Sequence, residues 1–246
     1  MDTDVLRQIR SINNQFYQNF ADSFAETRGR LQPGVEKLLP SVLGSKKVLD
    51  LGCGNGELAT ILLERGFKGD YLGIDLSARM LEIAQSKVGE RANIAFTHTD
   101  LGLDSLETVI PDSVDRRFQP PYDHQLSFAT LHHIPGSAVR ESLIRELHDL
   151  STEGARLSLS VWNFMESDRL RERVVPWEEV GLTERQVEPG DHLIDWRRDG
   201  VGLRYVHHFT EDELSTLARQ AGFEVEQTFY SDGETGTLGL YQVWIT

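Results

Sequence analysis

One cysteine, Cys53, stands alone in 246 residues. The chain therefore closes no internal disulfide and offers no thiolate framework for a metal. Long hydrophobic runs are missing as well, since no stretch approaches the roughly 20 apolar residues of a membrane helix. The N-terminus is polar and charged and lacks the apolar core of a secretory signal. These absences make a cytoplasmic protein with no membrane partner the expectation. Positive charge is also scarce, with 25 Lys and Arg against 39 Asp and Glu for a net charge of −14. That balance argues against a broad nucleic-acid-binding surface and leaves room for a local basic patch. Repeats, low-complexity tracts and linkers are absent too. With 39% hydrophobic residues the chain can bury one large core, so residues 1–246 are expected to form a single domain.

Two phosphate-binding signatures fail in an informative way. Residues 48–59 read Val-Leu-Asp-Leu-Gly-Cys-Gly-Asn-Gly-Glu-Leu-Ala, an apolar strand ending in an acid, a turn with three glycines, and a helix start. That layout builds a nucleotide-type pocket at the carboxyl end of a strand. Glycine lets the backbone adopt positive φ and lets a ligand approach where a Cβ would collide. A dinucleotide fingerprint, however, needs a third glycine at position 57, where Glu57 stands, and the Gly-Lys-Ser/Thr of a P-loop is missing. Glu57 at a helix N-terminus repels a pyrophosphate from a natural anion site, and Asp50 adds more negative charge. The turn therefore suits a ligand with no phosphate and a cationic end. S-adenosylmethionine, with an ammonium and a sulfonium, meets both conditions.

The surrounding pattern alternates strand and helix. Residues 1–40 read as N-terminal helices, with Phe16, Tyr17, Phe20, Phe24, Leu38 and Leu39 at helical spacing. Strands are expected at 47–51, 71–75, 93–97, 122–128 and 156–161. Helices are expected at 57–65, at 78–88 with Ser77 as N-cap, and from about 137 to 150. Such alternation implies an α/β fold with a parallel sheet covered by helices on both faces. Residues 163–208 break the rhythm and read as an insertion lying over the carboxyl edge of the sheet. Thr210 then caps a helix through Ala221, with Glu213 at the capping-box position. Strands at 223–230 and 238–245, joined by Ser231-Asp-Gly-Glu-Thr-Gly236, make an antiparallel hairpin.

In this order the elements resemble the class I S-adenosylmethionine-dependent methyltransferases over nearly the whole chain. The resemblance implies a Rossmann-like sheet of seven strands, mostly parallel, with an antiparallel last strand. It implies that Gly52, Gly54 and Gly56 form the cofactor's glycine turn, with Asp50 near the methionine ammonium. Asp75 would take the ribose hydroxyls, Asp100 the adenine amino group, and Leu76 and Leu101 would flank the adenine. Ser127 and Phe128, at the end of the fourth strand, would approach the sulfonium. Read locally, each acid has a plainer role: Asp50 satisfying backbone amides, Asp75 as an N-cap, Asp100 in a turn. Local reading also favours backbone hydrogen bonds for His132 and His133, and a packing role for Cys53.

Two further segments are similar to the tRNA wobble-uridine methyltransferases, which methyl-esterify 5-carboxymethyluridine. Phe16-Tyr-Gln-Asn-Phe-Ala-Asp-Ser-Phe-Ala-Glu-Thr-Arg28 resembles their opening, and Arg204-Tyr-Val-His-His-Phe209 before Glu213-Leu214 resembles their Arg-Tyr-Tyr-His-x-Phe segment. Val161-Trp162, Gly190-Asp191 and Trp196 follow the same order. Val206 and Gln32-Pro33 depart from it, and residues 163–208 hold ten Asp/Glu against seven Arg and no Lys. The resemblance implies a tRNA acceptor. It also brings in, as a candidate partner, the small zinc-binding activator protein with which the tRNA enzymes of that family work. A small-molecule acceptor is the alternative, for which acidic charge is no obstacle, and a regulatory subunit without catalysis is a third reading. A carboxylate acceptor is ionised at neutral pH and needs orientation by cations rather than a base. Arg28 and Arg204 are the candidate cations, with Tyr17 and His207 shaping the acceptor pocket. The plainer role for the two arginines is an ion pair tying the N-terminal helices to the insertion.

Overall fold

The structure, a computed structural model, describes the chain except residues 27–29, 103–104, 107–109, 111–114 and 198–199, and except the side chains of residues 23–26. Arg28 and the Phe24 side chain thus lie outside the described residues.

A kinked helix α1 (Thr3–Glu26) and α2 (Pro33–Leu43) precede β1 (Lys47–Leu51), α3 (Glu57–Glu64), β2 (Asp70–Asp75), α4 (Ala78–Val88) and β3 (Ile94–His98). Then come β4 (Tyr122–Phe128), α5 (Ser137–Asp149) and β5 (Ser151–Trp162). The insertion follows as a short α6 (Asp168–Arg171), β6 (Val174–Val175), β7 (Asp191–Trp196) and β8 (Gly202–His207). The chain closes with α7 (Glu211–Gln220), β9 (Glu224–Ser231) and β10 (Gly239–Ile245). Strand order in the main sheet is β3-β2-β1-β4-β5-β10-β9, with β10 antiparallel to both neighbours. This is the expected Rossmann-like, mostly parallel seven-stranded sheet.

Both faces of that sheet are buried, which is why its central strands read as continuous apolar runs. Alternation still sorts the side chains. Leu49, Leu51, Leu72 and Ile74 pack with Leu143, Leu147, Leu214 and Leu217 of α5 and α7. Val48, Tyr71 and Leu126 pack with Val35, Leu39, Leu58 and Leu62 of α2 and α3. Capping fixes two helix starts as expected: Ser77 Oγ accepts from the Met80 amide and Thr210 Oγ1 from the Glu213 amide. The Glu213 carboxylate, however, does not complete a capping box and turns instead to His207.

The insertion contains a three-stranded antiparallel sheet, β6-β7-β8. One face sets Leu193 and Tyr205 against Val5 and Ile9 of α1, and the other sets Ile194 and Val206 against Phe164 and Leu170. Asn13 ties three segments together: its Oδ1 accepts from the Tyr205 amide at 2.8 Å and its Nδ2 donates to the His133 carbonyl at 3.0 Å. No helix among the described residues is long and apolar enough to cross a membrane.

Candidate active site

A cleft of about 540 Å³ opens at the carboxyl ends of β1, β2 and β4, walled by α1 and the insertion. Its size falls in the range of small-molecule sites. The three glycines of the turn do three different jobs. A Cβ on Gly52 would stand 2.1 Å from Thr130 Oγ1, so its absence lets the turn after β4 close in. Gly54 has φ +55° and a Cβ there would meet nothing within 4 Å, so its open side faces the cleft that it lines. Gly56, the left-handed residue before α3, stands off the cleft lining; a Cβ there would lie 2.8 Å from Ala84 Cβ. The last glycine therefore serves the packing of α3 on α4.

The expected acids reach the cleft from successive strands. Asp50 is 3% exposed and accepts a hydrogen bond from the Tyr71 hydroxyl. Burial pushes its carboxyl up to about 7, resisted by the Tyr71 hydrogen bond and reinforced by the charge of Asp75. Asp75 Oδ2 accepts from the Gly54 amide at 2.9 Å and Oδ1 from the Ser77 amide at 2.8 Å. Burial raises its pKa and those two amides hold it down. The N-cap of α4 is Ser77 and not Asp75, whose side chain lines the cleft. Asp100 pairs with Arg10 of α1 at 3.0 Å and accepts from the Gly102 amide at 3.0 Å. Cys53, on the same wall, has a thiol pushed well up by burial and by Asp75 and Asp50, which keeps it protonated and unsuited to nucleophilic attack.

Leu76, Leu101, Phe128, Tyr17 and Arg204 line the same cleft. The Tyr17 ring meets the His133 ring edge-on at 5.7 Å. Arg204 is 4% exposed, with its guanidinium 4.5 Å from the Trp162 ring centroid and 5.1 Å from that of Phe16. Three of the expected site residues are off the cleft: Gly56, Ser127 and His207. Ser127 is buried within β4 and the cleft is lined by its successors Phe128, Ala129 and Thr130. Alternation along the strand turns Ser127 to the opposite face. His207 is 1% exposed and off the cleft: its Nδ1 meets Asp191 at 2.7 Å and its Nε2 meets Glu213 at 2.8 Å. Arg140, Glu188 and Tyr205 extend this network, with Tyr205 donating to Asp191 at 2.7 Å and Arg140 meeting Glu188 at 3.1 Å. Burial works against a charged His207, but the two carboxylates outweigh it and its pKa is raised. His207 thus pins the insertion to α7 rather than shaping an acceptor pocket. His132 and His133 engage backbone as the local reading favours, through the Trp162 amide at 3.3 Å and the Tyr205 carbonyl at 3.1 Å.

Residues outside the motif also line the cleft: Arg10 and Asn13 of α1, Thr130, and Arg30, Arg169 and Arg173. Helical spacing places Arg10, Asn13 and Tyr17 on one face of α1, so that face was readable, but which cleft it would meet was not. The donor set fits S-adenosylmethionine: acids at the glycine turn for an ammonium, an acid at the end of β2 for a diol, and apolar Leu76 and Leu101 for a planar base.

A model of the methyltransferase domain matches residues 23–228. The tRNA (carboxymethyluridine(34)-5-O)-methyltransferase of Schizosaccharomyces pombe is 26% identical over 232 residues, which cover 88% of this chain and 90% of that protein. The Bacillus subtilis protein YqeM is 37% identical over 90 residues, 35% of this chain, so the match spans only 34% of that relative. An S-adenosylmethionine-dependent methyltransferase from Methanosarcina mazei shares the fold, with a TM-score of 0.63 at 21% identity over 88% of this chain and 98% of that one. With the family match running across most of its length, this chain belongs to the methyltransferase-domain family and is an S-adenosylmethionine-dependent methyltransferase.

Proposed function

We propose that the methyl acceptor is the carboxylate of a modified wobble uridine in tRNA, converted to its methyl ester. The observation that carries this reading is Arg204, a buried guanidinium lining the cleft and stacked on Trp162 and Phe16. A planar guanidinium matches a carboxylate with paired donors, and a water-poor aromatic setting strengthens that match. The likeness to the Schizosaccharomyces pombe enzyme over 232 residues supports the same acceptor.

When bound, S-adenosylmethionine supplies an electrophilic methyl group on a sulfonium. The protein's part is alignment, because an in-line displacement gains most from holding the acceptor oxygen in the attack direction. Asp50 would hold the ammonium, Asp75 the ribose hydroxyls, and Asp100 the adenine amino group, with Gly54 admitting the ligand to the backbone. Arg204 orients the acceptor carboxylate, and Tyr17 and Phe128 bound the space it enters. No residue need act as base, since the carboxylate is ionised at neutral pH. Arg28 stands outside the described residues and is kept as a second candidate cation on its sequence match alone.

Mass spectrometry of tRNA nucleosides with and without the gene tests the reading. The carboxymethyl ester should disappear and the free acid accumulate; an unchanged nucleoside profile overturns it. The net charge of −14 favours a second reading, a small-molecule O- or N-methyltransferase. Labelled methyl transfer to bulk tRNA separates the two. In the first reading, the zinc-binding activator would show as a protein whose addition raises that transfer.

A further inference from the structure

Most arginines of this acidic chain sit against a carboxylate. Arg7, Arg65, Arg79, Arg117, Arg145, Arg156 and Arg171 each form an ion pair of 3.0 Å or shorter. Among the described residues the side chains of Arg91, Arg116 and Arg185 make no hydrogen bond or ion pair, and none of those three lines the cleft. The side chains of Arg30, Arg169 and Arg173 are likewise without one among the described residues. All three line the active-site cleft, and they come from both of its walls, Arg30 from just before α2 and the other two from the insertion. Arg30 and Arg169 are exposed and Arg173 is half-buried, which places the set at the mouth rather than in the depth of the cleft. The contrast is sharpest within α6, where Arg171 pairs with Asp168 while Arg169, two positions earlier, pairs with nothing.

We infer that Arg30, Arg169 and Arg173 form a phosphate-binding rim that holds the sugar-phosphate backbone on either side of the accepting nucleotide. This rests on the proposed tRNA acceptor and gives it a docking site that the net charge does not advertise. Guanidiniums bind phosphate oxygens with paired donors. Three of them at an opening suit several phosphates along a strand better than the single phosphate of a small acceptor. A second observation agrees: Tyr17, Trp162 and Trp196 line the cleft inside this rim. Aromatic faces are the usual platform for a base splayed out of a single-stranded loop. The chain as a whole carries an excess of acid, so a rim of three cations at the mouth adds selectivity as well as affinity.

The test is binding of an unmodified anticodon stem-loop RNA to the full chain saturated with S-adenosylhomocysteine, followed by fluorescence anisotropy across a salt series. For single-stranded RNA the slope of log K against log salt is about −0.7 per phosphate contacted. Replacing the three residues together (R30Q, R169Q, R173Q) should flatten the slope by about 2 and weaken binding by at least about tenfold at low salt. S-adenosylhomocysteine affinity, measured alongside, reports that the variant is folded. An unchanged slope in a folded variant overturns the rim, as does a wild-type protein that binds no RNA. If uridine monophosphate binds as tightly as the RNA and loses that affinity in the variant, the RNA assignment is overturned in favour of a small phosphorylated acceptor. RNA binding that depends on the rim, with no ester formed on carboxymethyluridine, leaves the rim standing and removes the proposed acceptor chemistry.

Discussion

Alanine at Gly54 and at Gly56 should separate ligand approach from packing. Both residues have positive φ, 55° and 71°, so alanine costs about 1–2 kcal/mol in backbone conformation at either site. Their surroundings differ. A Cβ on Gly54 meets no heavy atom within 4 Å, whereas one on Gly56 lies 2.8 Å from Ala84 Cβ and 2.9 Å from Ala84 Cα. The latter contact is with helix backbone in α4 and has no rotamer to relieve it, so overpacking adds about 1–3 kcal/mol. Gly56→Ala should therefore lose about 2–5 kcal/mol, a Tm lower by roughly 4–20 °C at this chain length, and Gly54→Ala about 2–8 °C. Ligand affinity should order the other way. Gly54→Ala projects a methyl into the space the cofactor enters and should weaken S-adenosylhomocysteine binding by at least about tenfold, or 1.4 kcal/mol. Gly56→Ala, off the cleft, should keep its affinity within about threefold where it is folded. Thermal melts and titration calorimetry on both variants read the two effects separately. Wild-type affinity in Gly54→Ala, or a wild-type Tm in Gly56→Ala, refutes the assignment of roles.

Four further substitutions, two of them read across pH, follow from the same geometry. Because the folded protein holds the Asp50 proton up to about pH 7, this group's stabilisation is complete below about pH 4 and is lost as pH rises through about 7. The Tm of ligand-free protein should carry that loss and Asp50→Asn should lack it, while S-adenosylhomocysteine affinity should rise over the same range as the carboxylate forms; parallel curves for the two proteins count against it. His207→Ala strands the buried Asp191 carboxylate, while the Glu213 side chain is 41% exposed and can turn to water; the substitution should cost about 3 kcal/mol in urea unfolding at pH 6, with cofactor affinity unchanged because the residue is off the cleft. The raised His207 pKa makes its contribution complete below about pH 6.5 and lost as pH climbs past the folded value, so the variant's deficit should shrink in alkali. Arg204→Lys keeps the charge but loses the planar fork and the stacking on Trp162 and Phe16, and should cut kcat/KM for the acceptor by about a hundredfold, near 2.7 kcal/mol, leaving cofactor affinity intact; full activity in the lysine variant would remove Arg204 from the acceptor site. Ser127→Ala should leave cofactor binding within about twofold, as calorimetry can verify, since Ser127 is turned away from the cleft.

Residues 47–59 and the acids at the ends of β1 and β2 were legible in the chain because their signals are local. Positive φ favours glycine, a strand end needs a change of hydrophobic period, and a capping serine acts on an amide three residues on. The strands at Lys47–Leu51 and Tyr122–Phe128 begin and end where apolar alternation does. β5 is the exception, starting at Ser151 and not at Arg156, because the pairing of Ser151 with Tyr122 extends it past the apolar run. The motif glycines looked alike in sequence, and only the approach of Thr130 and Ala84 told their roles apart.

The amino-acid sequence by itself determined the order of strands and helices, the glycine turn without a phosphate-binding signature, and the carboxylates that the ends of β1 and β2 bring to the cleft. Each of these depends on residues within a turn or two of one another. Tertiary structure alone decided that His207 belongs to Asp191 and Glu213, that Arg10 reaches Asp100, that Ser127 faces away, and that three unpaired arginines share one opening. Those pairings join segments up to 143 residues apart (Arg30 to Arg173). They follow from strand register and from how the insertion seats on α1, which no local propensity encodes.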